Sequence, residues 1–215
     1  MKLDALVLGE YETNCYVLRS DGAAHSCLVI DTGLSPEPLL DFLRAGRLKP
    51  LALFLTHAHA DHIAGAKPLR TLYPDMKIGI HKADASALLD PHANLATLVG
   101  EKTDSPPADA PLDDNQIIEI AGIRLKVIHT PGHTPGCICL YSEADGVLFS
   151  GDTLFAGSVG ATDFPTSAPD DYATMISSIR TRLMTLPPET TVYPGHGPAT
   201  TLGNEARFNP HLQHA

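Results

Sequence analysis

Seven side chains able to bind a metal stand in four short segments, each placed directly after an apolar run. Thr56-His57-Ala58-His59-Ala60-Asp61-His62 follows Leu51 to Leu55, and His133, in Thr130-Pro131-Gly132-His133-Thr134, follows Leu125 to Ile128. Asp152, in Ser150-Gly151-Asp152-Thr153, follows Val147 to Phe149, and His196, in Tyr193-Pro194-Gly195-His196-Gly197, follows Thr190 to Tyr193. Two further polar strand ends are Asp31-Thr32-Gly33 and Gly160-Ala161-Thr162-Asp163. Loops at strand ends are where a rigid scaffold displays functional groups. Five of the eleven histidines fall in these segments, flanked by Gly, Thr or Asp, which sets them apart from lone solvated histidines.

In an extended segment His57, His59 and Asp61 point the same way, because side chains alternate with a period of two, and His62 points elsewhere. Four ligands in six residues can therefore face two nearby centres. A helical H-E-x-x-H motif differs, since its histidines lie one turn apart on one face. Two adjacent dications sharing one ligand need about seven side chains, and His57, His59, Asp61, His62, His133, Asp152 and His196 supply them. A carboxylate is the side chain best suited to bridge two cations.

The elements that must hold these loops are short. Leu3 to Leu8, Cys15 to Leu18 and Ser26 to Ile30 read as strands. Ser35 is a candidate helix cap with Pro36 in the first turn, Leu39, Leu40 and Leu43 form an apolar face, and Gly46 is the stop. Leu51 to Leu55, bounded by Pro50 and Thr56, reads as a fully buried strand. Residues 101–115 hold three prolines, five acids and one lysine and read as a solvated connector. Ile117 to Ile120, Ile123 to Ile128, Cys137 to Tyr141 and Val147 to Phe149 follow as strands. Tyr172, Met175, Ile176, Ile179 and Leu183 predict one long helix over about 170–186, and Thr190 to Tyr193 predicts a last buried strand. Strands then helices, twice, predict an α/β sandwich in which each of two sheets is covered by helices.

Length and composition agree with a globular fold. The 215 residues correspond to about 1.4 average domains, read as a single domain over 1–215. Apolar residues at 43% and charged residues at 19% exclude a mainly disordered chain. The net charge of −10 argues against nucleic-acid and anionic-membrane partners. No run approaches the ~20 apolar residues of a membrane span. Asp4 and Glu10 interrupt the first apolar residues, so no secretory segment is expected. Cys15, Cys27, Cys137 and Cys139 form no C-x-x-C pair and read as buried thiols of a reducing, cytoplasmic compartment. Among the other polar residues, Asp31 reads either as a turn residue or as support for a ligand. His129 is expected to pack in its strand. His25, His81, His92, His211 and His214 read as solvated. Tyr16, Phe164 and Tyr193 read as core or rim, and Arg180 and Arg182 as a wet helix face.

The motif set resembles the metallo-β-lactamase-fold hydrolases, and most of all the glyoxalase II (hydroxyacylglutathione hydrolase) group. T-H-x-H-x-D-H stands at Thr56 to His62, with Pro131-Gly132-His133-Thr134, Gly151-Asp152-Thr153 and Pro194-Gly195-His196 after it. The resemblance runs from Asn14-Cys15-Tyr16 to Asn209-Pro210. It implies a four-layer αββα sandwich with the site at one edge of the two sheets. It also implies two divalent cations, zinc first, with iron or manganese as alternatives. His57, His59 and His133 would hold one, Asp61, His62 and His196 the other, and Asp152 would bridge them. Asp61 would further orient the attacking water.

The expected reaction is cleavage of a small-molecule thioester, possibly a glutathione conjugate, by a hydroxide shared between the cations. The expected oligomeric state is a monomer or small homo-oligomer. Nineteen residues follow His196, and the tail Thr201-Leu202-Gly203-Asn204-Glu205 is similar to the short single-domain branch. Ala161 stands where related sequences often carry Arg. The competing expectation is a persulfide dioxygenase using one iron on His57, His133 and Asp152. Asp152 argues against the true β-lactamases of the His-His-Asp-His kind, the charge against the RNA-processing branch, and His59 against the flavodiiron proteins.

Overall fold

The structure, a computed structural model, describes residues 1–22, 25–100 and 105–213. The first half builds a six-stranded sheet in the order β1-β2-β3-β4-β5-β6, from β1 (Lys2–Leu8), β2 (Thr13–Arg19), β3 (Ser26–Ile30), β4 (Lys49–Phe54), β5 (Lys77–His81) and β6 (Ala110–Leu112). β1 to β3 are antiparallel, whereas β3 to β6 run parallel. Parallel neighbours need a crossover. Helix α1 (Glu37–Ala45) supplies one between β3 and β4, and α2 (Ala60–Ile63) with α3 (Ala66–Leu72) supplies the next.

The second half repeats the plan. β7 (Ile117–Ile120), β8 (Ile123–His129), β9 (Ile138–Ser142) and β10 (Val147–Gly151) are antiparallel neighbours. A small hairpin of β11 (Leu154–Phe155) and β12 (Ser158–Val159) follows, then helix α4 (Asp171–Ser178). β13 (Thr191–Pro194) returns parallel to β10, and β14 (Thr200–Thr201) completes the sheet order β14-β13-β10-β9-β8-β7 before helix α5 (Leu202–Phe208).

Three apolar layers hold these elements together. Between the sheets, Leu18, Leu28, Ile30 and Phe54 meet Leu125, Val127, Leu140 and Phe149. On the outer face of the first sheet, Val17, Val29 and Leu53 pack with Leu39 and Leu43 of α1 and Leu69 of α3. On the outer face of the second, Ile128, Leu148 and Val192 pack with Met175 and Ile176 of α4. Strands buried on both faces read as unbroken apolar runs rather than alternating ones, which is why β3 and the end of β4 look continuous in sequence. The result is a four-layer αββα sandwich.

The sheets are stitched together at one rim. Thr13 forms an isolated bridge with His196. The Asn14 backbone N–H donates to the Gly195 carbonyl at 2.7 Å, and its side chain donates to the carbonyls of Pro194 and Gly197. The Tyr16 hydroxyl, in the inner core, donates to the Pro194 carbonyl at 2.6 Å. The candidate ligand residues of both halves of the chain meet at this rim.

Several expectations are corrected. Ser35 makes no cap: Pro36 is the N-cap of α1, without a side-chain hydrogen bond. Pro50 lies inside β4 rather than bounding it, at a register shift opposite Cys27 and Leu28, where the missing N–H is tolerated. The connector contributes β6 at the open edge of the first sheet; its residues 101–104 lie outside the described residues. The long helix ends as a regular helix at Ser178 and continues through one wider turn at Ile179–Leu183. Tyr172 faces solvent and its hydroxyl meets His211 Nδ1 at 3.0 Å. Arg182, about a third exposed, is more than a wet-face residue: it pairs with Asp114 at 2.8 Å and its guanidinium reaches the His129 carbonyl. Arg180 reaches the Leu212 carbonyl. No helix among the described residues is long and apolar enough to cross a membrane.

Candidate metal centre

The ligand loops leave the ends of β4, β8, β10 and β13. After β4 the chain bends at Thr56 and His57 and reaches His59, whose φ of −66° and ψ of 147° make it the N-cap of α2. The expected alternation is therefore not kept. Asp61 sits with His62 in α2 and turns to the second group, instead of sharing a side with His57 and His59. Three sets of donor atoms converge, each within 4.8 Å of one another: His57, His59 and His133; His57, His62 and Asp152; and Asp61, His62 and His196. All seven residues singled out from the sequence are thus brought to one place, nearly all of them buried.

Hydrogen bonds fix which nitrogen faces the centre in four of the five rings. His133 Nδ1 donates to the Ala161 carbonyl at 2.7 Å, His196 Nδ1 to the Tyr11 carbonyl at 2.8 Å, and His62 Nδ1 to Asp31 Oδ2 at 3.0 Å. The Thr56 hydroxyl spends its proton on Asp31 Oδ2 at 2.7 Å, so it accepts from His57 Nδ1 at 3.1 Å. In each neutral ring the proton is on Nδ1 and the lone pair on Nε2. Yet His57 Nε2 and His133 Nε2 are 3.2 Å apart, and so are His62 Nε2 and His196 Nε2. Paired lone pairs at that distance repel unless a proton or a metal cation lies between or beside them.

The carboxylates complete the arrangement. Asp152 Oδ2 is 3.5 Å from both His133 Nε2 and His196 Nε2, and Oδ1 is 3.4 Å from His62 Nε2. Asp152 Oδ1 is buried and accepts no hydrogen bond, an orphaned acceptor that a cation would satisfy. Asp61 Oδ2 lies 3.2 Å from His196 Nε2 and accepts from the Thr13 hydroxyl at 3.1 Å. Gly195 is required here by close approach: a Cβ would stand 2.1 Å from Asp152 Oδ1 and 2.8 Å from His62 Cε1. The donor set, five imidazoles, four of them with the outer nitrogen hydrogen-bonded, and two carboxylates, fits divalent metal binding.

The proton equilibria show the same tension. Burial pushes His57 down and His59 to about 3, so both stay neutral. Burial opposes charge on His196 too, but Asp152 and Asp61 outweigh it and raise the ring to about 9. Burial would raise Asp61, yet His62 and His196 draw it down to about 2. Without a cation, protons take the places between these groups; a metal competes with them for the same lone pairs.

Two buried carboxylates position the ligand loops. Asp31 ends β3 at a φ of 55°, in the left-handed region that Asp tolerates. It accepts from the Thr56 N–H at 2.8 Å, the Thr56 hydroxyl and His62 Nδ1. It therefore both turns the chain and holds Thr56 and the His62 ring in place. Asp84 was not legible as a site residue. Its Oδ2 accepts from the Ala58 N–H at 3.1 Å and the Thr134 hydroxyl at 2.7 Å, and its Oδ1 from the Gly136 N–H at 2.7 Å. It thereby joins the loop of His57 and His59 to the loop of His133. The signal that could have found it is the one that marked Asp31: a lone Asp just past a buried strand. At position 161 the site uses the backbone carbonyl, while the Ala161 side chain is exposed.

The remaining residues singled out are not part of the donor set. His81, expected in solvent, is buried and stacks on His129, with ring centroids 4.0 Å apart. His129 packs as expected and its Nε2 donates to the Pro135 carbonyl. His25 and His92 are exposed, and His214 lies outside the described residues. Phe164 turns its edge toward His59 and His133, with centroids 5.0 and 5.4 Å away. All four cysteines are unbridged and buried. Burial raises Cys139 to about 11 and Cys27 to about 12, so neither is a nucleophile.

Comparison with known proteins agrees with this geometry. The family model described as Metallo-beta-lactamase superfamily matches residues 8–196. A probable metallo-hydrolase, YqgX of Bacillus subtilis, is 33% identical over 213 residues, covering 99% of this chain and 98% of the relative. Hydroxyacylglutathione hydrolase GloC of Haemophilus influenzae is 34% identical over 218 residues, covering 99% and 98%. Among solved structures, BLEG-1 B3 metallo-beta-lactamase superposes with a TM-score of 0.91 at 36% identity, over 99% of this chain and all of that one. TTHA1623 in a di-iron-bound form gives 0.84 at 38% identity, over 97% of this chain and all of that one. From its fold, its converging histidines and aspartates, and these matches, the chain belongs to the metallo-beta-lactamase superfamily.

Proposed function

We propose that this protein is a dinuclear metal-dependent hydrolase that cleaves a thioester. In this reading His57, His59 and His133 hold one divalent cation, Asp61, His62 and His196 hold the other, and Asp152 reaches both. The observation that carries the reading is the pair of facing Nε2 contacts, His57 with His133 and His62 with His196, both at 3.2 Å with Asp152 beside them. A mononuclear centre on His57, His133 and Asp152 would leave the Asp61, His62 and His196 group, half-buried at its two ends, without a purpose. Imidazole and carboxylate donors suit zinc, iron or manganese.

When bound, the cation pair supplies Lewis acidity, bringing water to a pKa of about 7 and polarising a carbonyl. The chain's own residues do the rest. Asp61, ionised and steadied by the Thr13 hydroxyl, is placed to accept a hydrogen bond from the attacking water and aim it. The Nδ1 anchors at Asp31, Thr56, Tyr11 and Ala161 hold the rings still, so little reorganisation is needed during reaction. A thiolate leaves with a pKa of about 8.5, so no dedicated general acid is required. The hydroxyacylglutathione hydrolase relative supports thioesters as the substrate class. Unbridged buried thiols support the cytoplasm as its location.

The test is metal analysis of gently purified protein, paired with assays on S-lactoylglutathione, a β-lactam and glutathione persulfide. Two metals per chain, with thioester cleavage and no oxygen uptake, is the expected result. One iron per chain with oxygen uptake on the persulfide would replace this reading with a dioxygenase. Faster cleavage of the lactam, the substrate class named for BLEG-1, would replace it with a lactamase.

A further inference from the structure

The tail segment Thr201-Leu202-Gly203-Asn204-Glu205, with Asn209 beyond it, supplies none of the donor set, yet it grips the β11–β12 hairpin. Glu205 and Asn209 are both buried, one in α5 and one at its end. Glu205 Oε2 accepts from the N–H of Gly157, in the hairpin turn, at 2.8 Å. The Asn209 amide donates to Glu205 Oε2 and to the Ser158 carbonyl, each at 2.9 Å. The Thr200 hydroxyl and the Asn204 amide donate to Glu205 Oε1 and hold the carboxylate in orientation.

The hairpin leaves the centre just past Asp152 and returns just before Ala161, whose carbonyl accepts from His133 Nδ1 at 2.7 Å. Its outgoing strand has its own anchor: the Ser150 hydroxyl donates to the carbonyl of the buried Leu154 at 2.8 Å. The returning strand belongs to a two-stranded sheet with two residues per strand, too little to be stable alone. Val159 packs against the outer core, and the grip from α5 fixes the turn and the Ser158 backbone. Beyond it, a Cβ on Gly160 would stand 1.9 Å from the Asp152 carbonyl oxygen and 3.1 Å from His133 Nδ1. A shift of the returning strand therefore reaches both at once. Phe155, on the same hairpin, has its ring centroid 6.1 Å from that of His196.

We propose that Glu205 and Asn209 are positioning residues of the metal centre: by gripping the hairpin they set the Ala161 carbonyl and, through it, the His133 ring. The proposal rests on the reading of His133 as a metal ligand. Partners behind a ligand are typically worth 10- to 100-fold in metal affinity. Glu205→Ala removes the grip. Asn209→Asp, nearly isosteric, turns a carboxylate oxygen on Glu205 and the Ser158 carbonyl. Glu205→Gln keeps the grip, since its amide oxygen takes the Gly157 and Asn209 donors while its NH2 donates to the Thr200 hydroxyl.

Zinc affinity of metal-stripped protein, read by competition with a chelating dye, should fall at least tenfold in Glu205→Ala and Asn209→Asp and stay within twofold in Glu205→Gln. Leu43→Ala, which opens a cavity under α1 on the other sheet, should lower Tm but keep zinc affinity within twofold. In metal-free protein the 1H–15N signal of His133 Nδ1–H should move upfield in Glu205→Ala and Asn209→Asp alone. Unchanged affinity and ring signal in those two variants overturn the proposal, as does equal weakening in Leu43→Ala. If the parent binds no zinc, the ligand reading fails instead, and the ring signal decides the grip. Should neither variant fold, the parent decides. Coupling is reciprocal, so zinc should slow amide exchange at the exposed Gly157; exchange untouched by zinc refutes the coupling.

Discussion

Replacing Asp84 by Asn separates a carboxylate that organises the centre from one that merely fills space. Three donors converge on it, from Ala58, Thr134 and Gly136, at 2.7 to 3.1 Å. An amide accepts through one oxygen only, so its NH2 must face either the Gly136 N–H or the Ala58 and Thr134 donors. A hydrogen bond to a charged group contributes about 1.5–3 kcal/mol, and a stranded buried donor costs about 1–3 kcal/mol. Against this, burial already raises the Asp84 pKa, and removing the charge recovers part of that cost. The net loss is about 2–4 kcal/mol, or about 5–12 °C in Tm for a domain of this size. Because Ala58 lies between His57 and His59 and Thr134 follows His133, metal affinity should also fall, by about 10- to 100-fold. Thermal melts of metal-free protein and competition with a chelating dye read the two effects. A variant melting within about 2 °C of the parent, with unchanged metal affinity, would refute the positioning role.

Other substitutions address other parts of the centre. Asp31→Asn keeps a residue that tolerates the left-handed backbone but removes an acceptor from Thr56 or His62; metal content should drop toward one per chain, measured by elemental analysis. Gly195→Ala drives a methyl into Asp152 Oδ1 and should cut activity by about 100-fold or more, with far-ultraviolet circular dichroism unchanged; retained activity would show that the rim can yield. Glu205→Ala removes the buried acceptor shared by Gly157, Thr200 and Asn209 and strands the buried Asn209 amide, which should cost about 1–3 kcal/mol, read from a urea titration. Arg182→Ala breaks a pair with Asp114 that is about a third exposed on both sides; solvent screening limits the loss to about 0.5–1 kcal/mol, so the same titration should barely move.

What the sequence made legible follows from local chemistry. The strands before the ligand loops are short apolar-rich runs, β10 and the end of β4 buried on both faces and β8 and β13 on one, and the metal-capable residues singled out sit in the loops after them. The two-sheet plan follows from their repetition. The unread parts depend on tertiary partners. The path from His59 into α2 is set by where the helix starts, not by residue spacing. Asp84 carries no motif, and its importance arises from donors 26 to 52 positions away. The β11–β12 hairpin and β14 have two residues per strand, too few for any periodicity. His81 is polar in composition yet buried by stacking on His129.

The rim that joins the sheets has a mechanical consequence. His57, His59, Asp61 and His62 come from the half of the chain that builds the first sheet; His133, Asp152 and His196 come from the half that builds the second. Neither half alone holds a complete cage. Cations spanning Asp152 would work as rivets through both leaves of the molecule, adding to the stitches that Thr13, Asn14 and Tyr16 make at the same edge. Stripping them with a chelator should let the leaves breathe apart first at that edge, so amide exchange should accelerate at β2 and β13 before the far strands β6 and β7 respond.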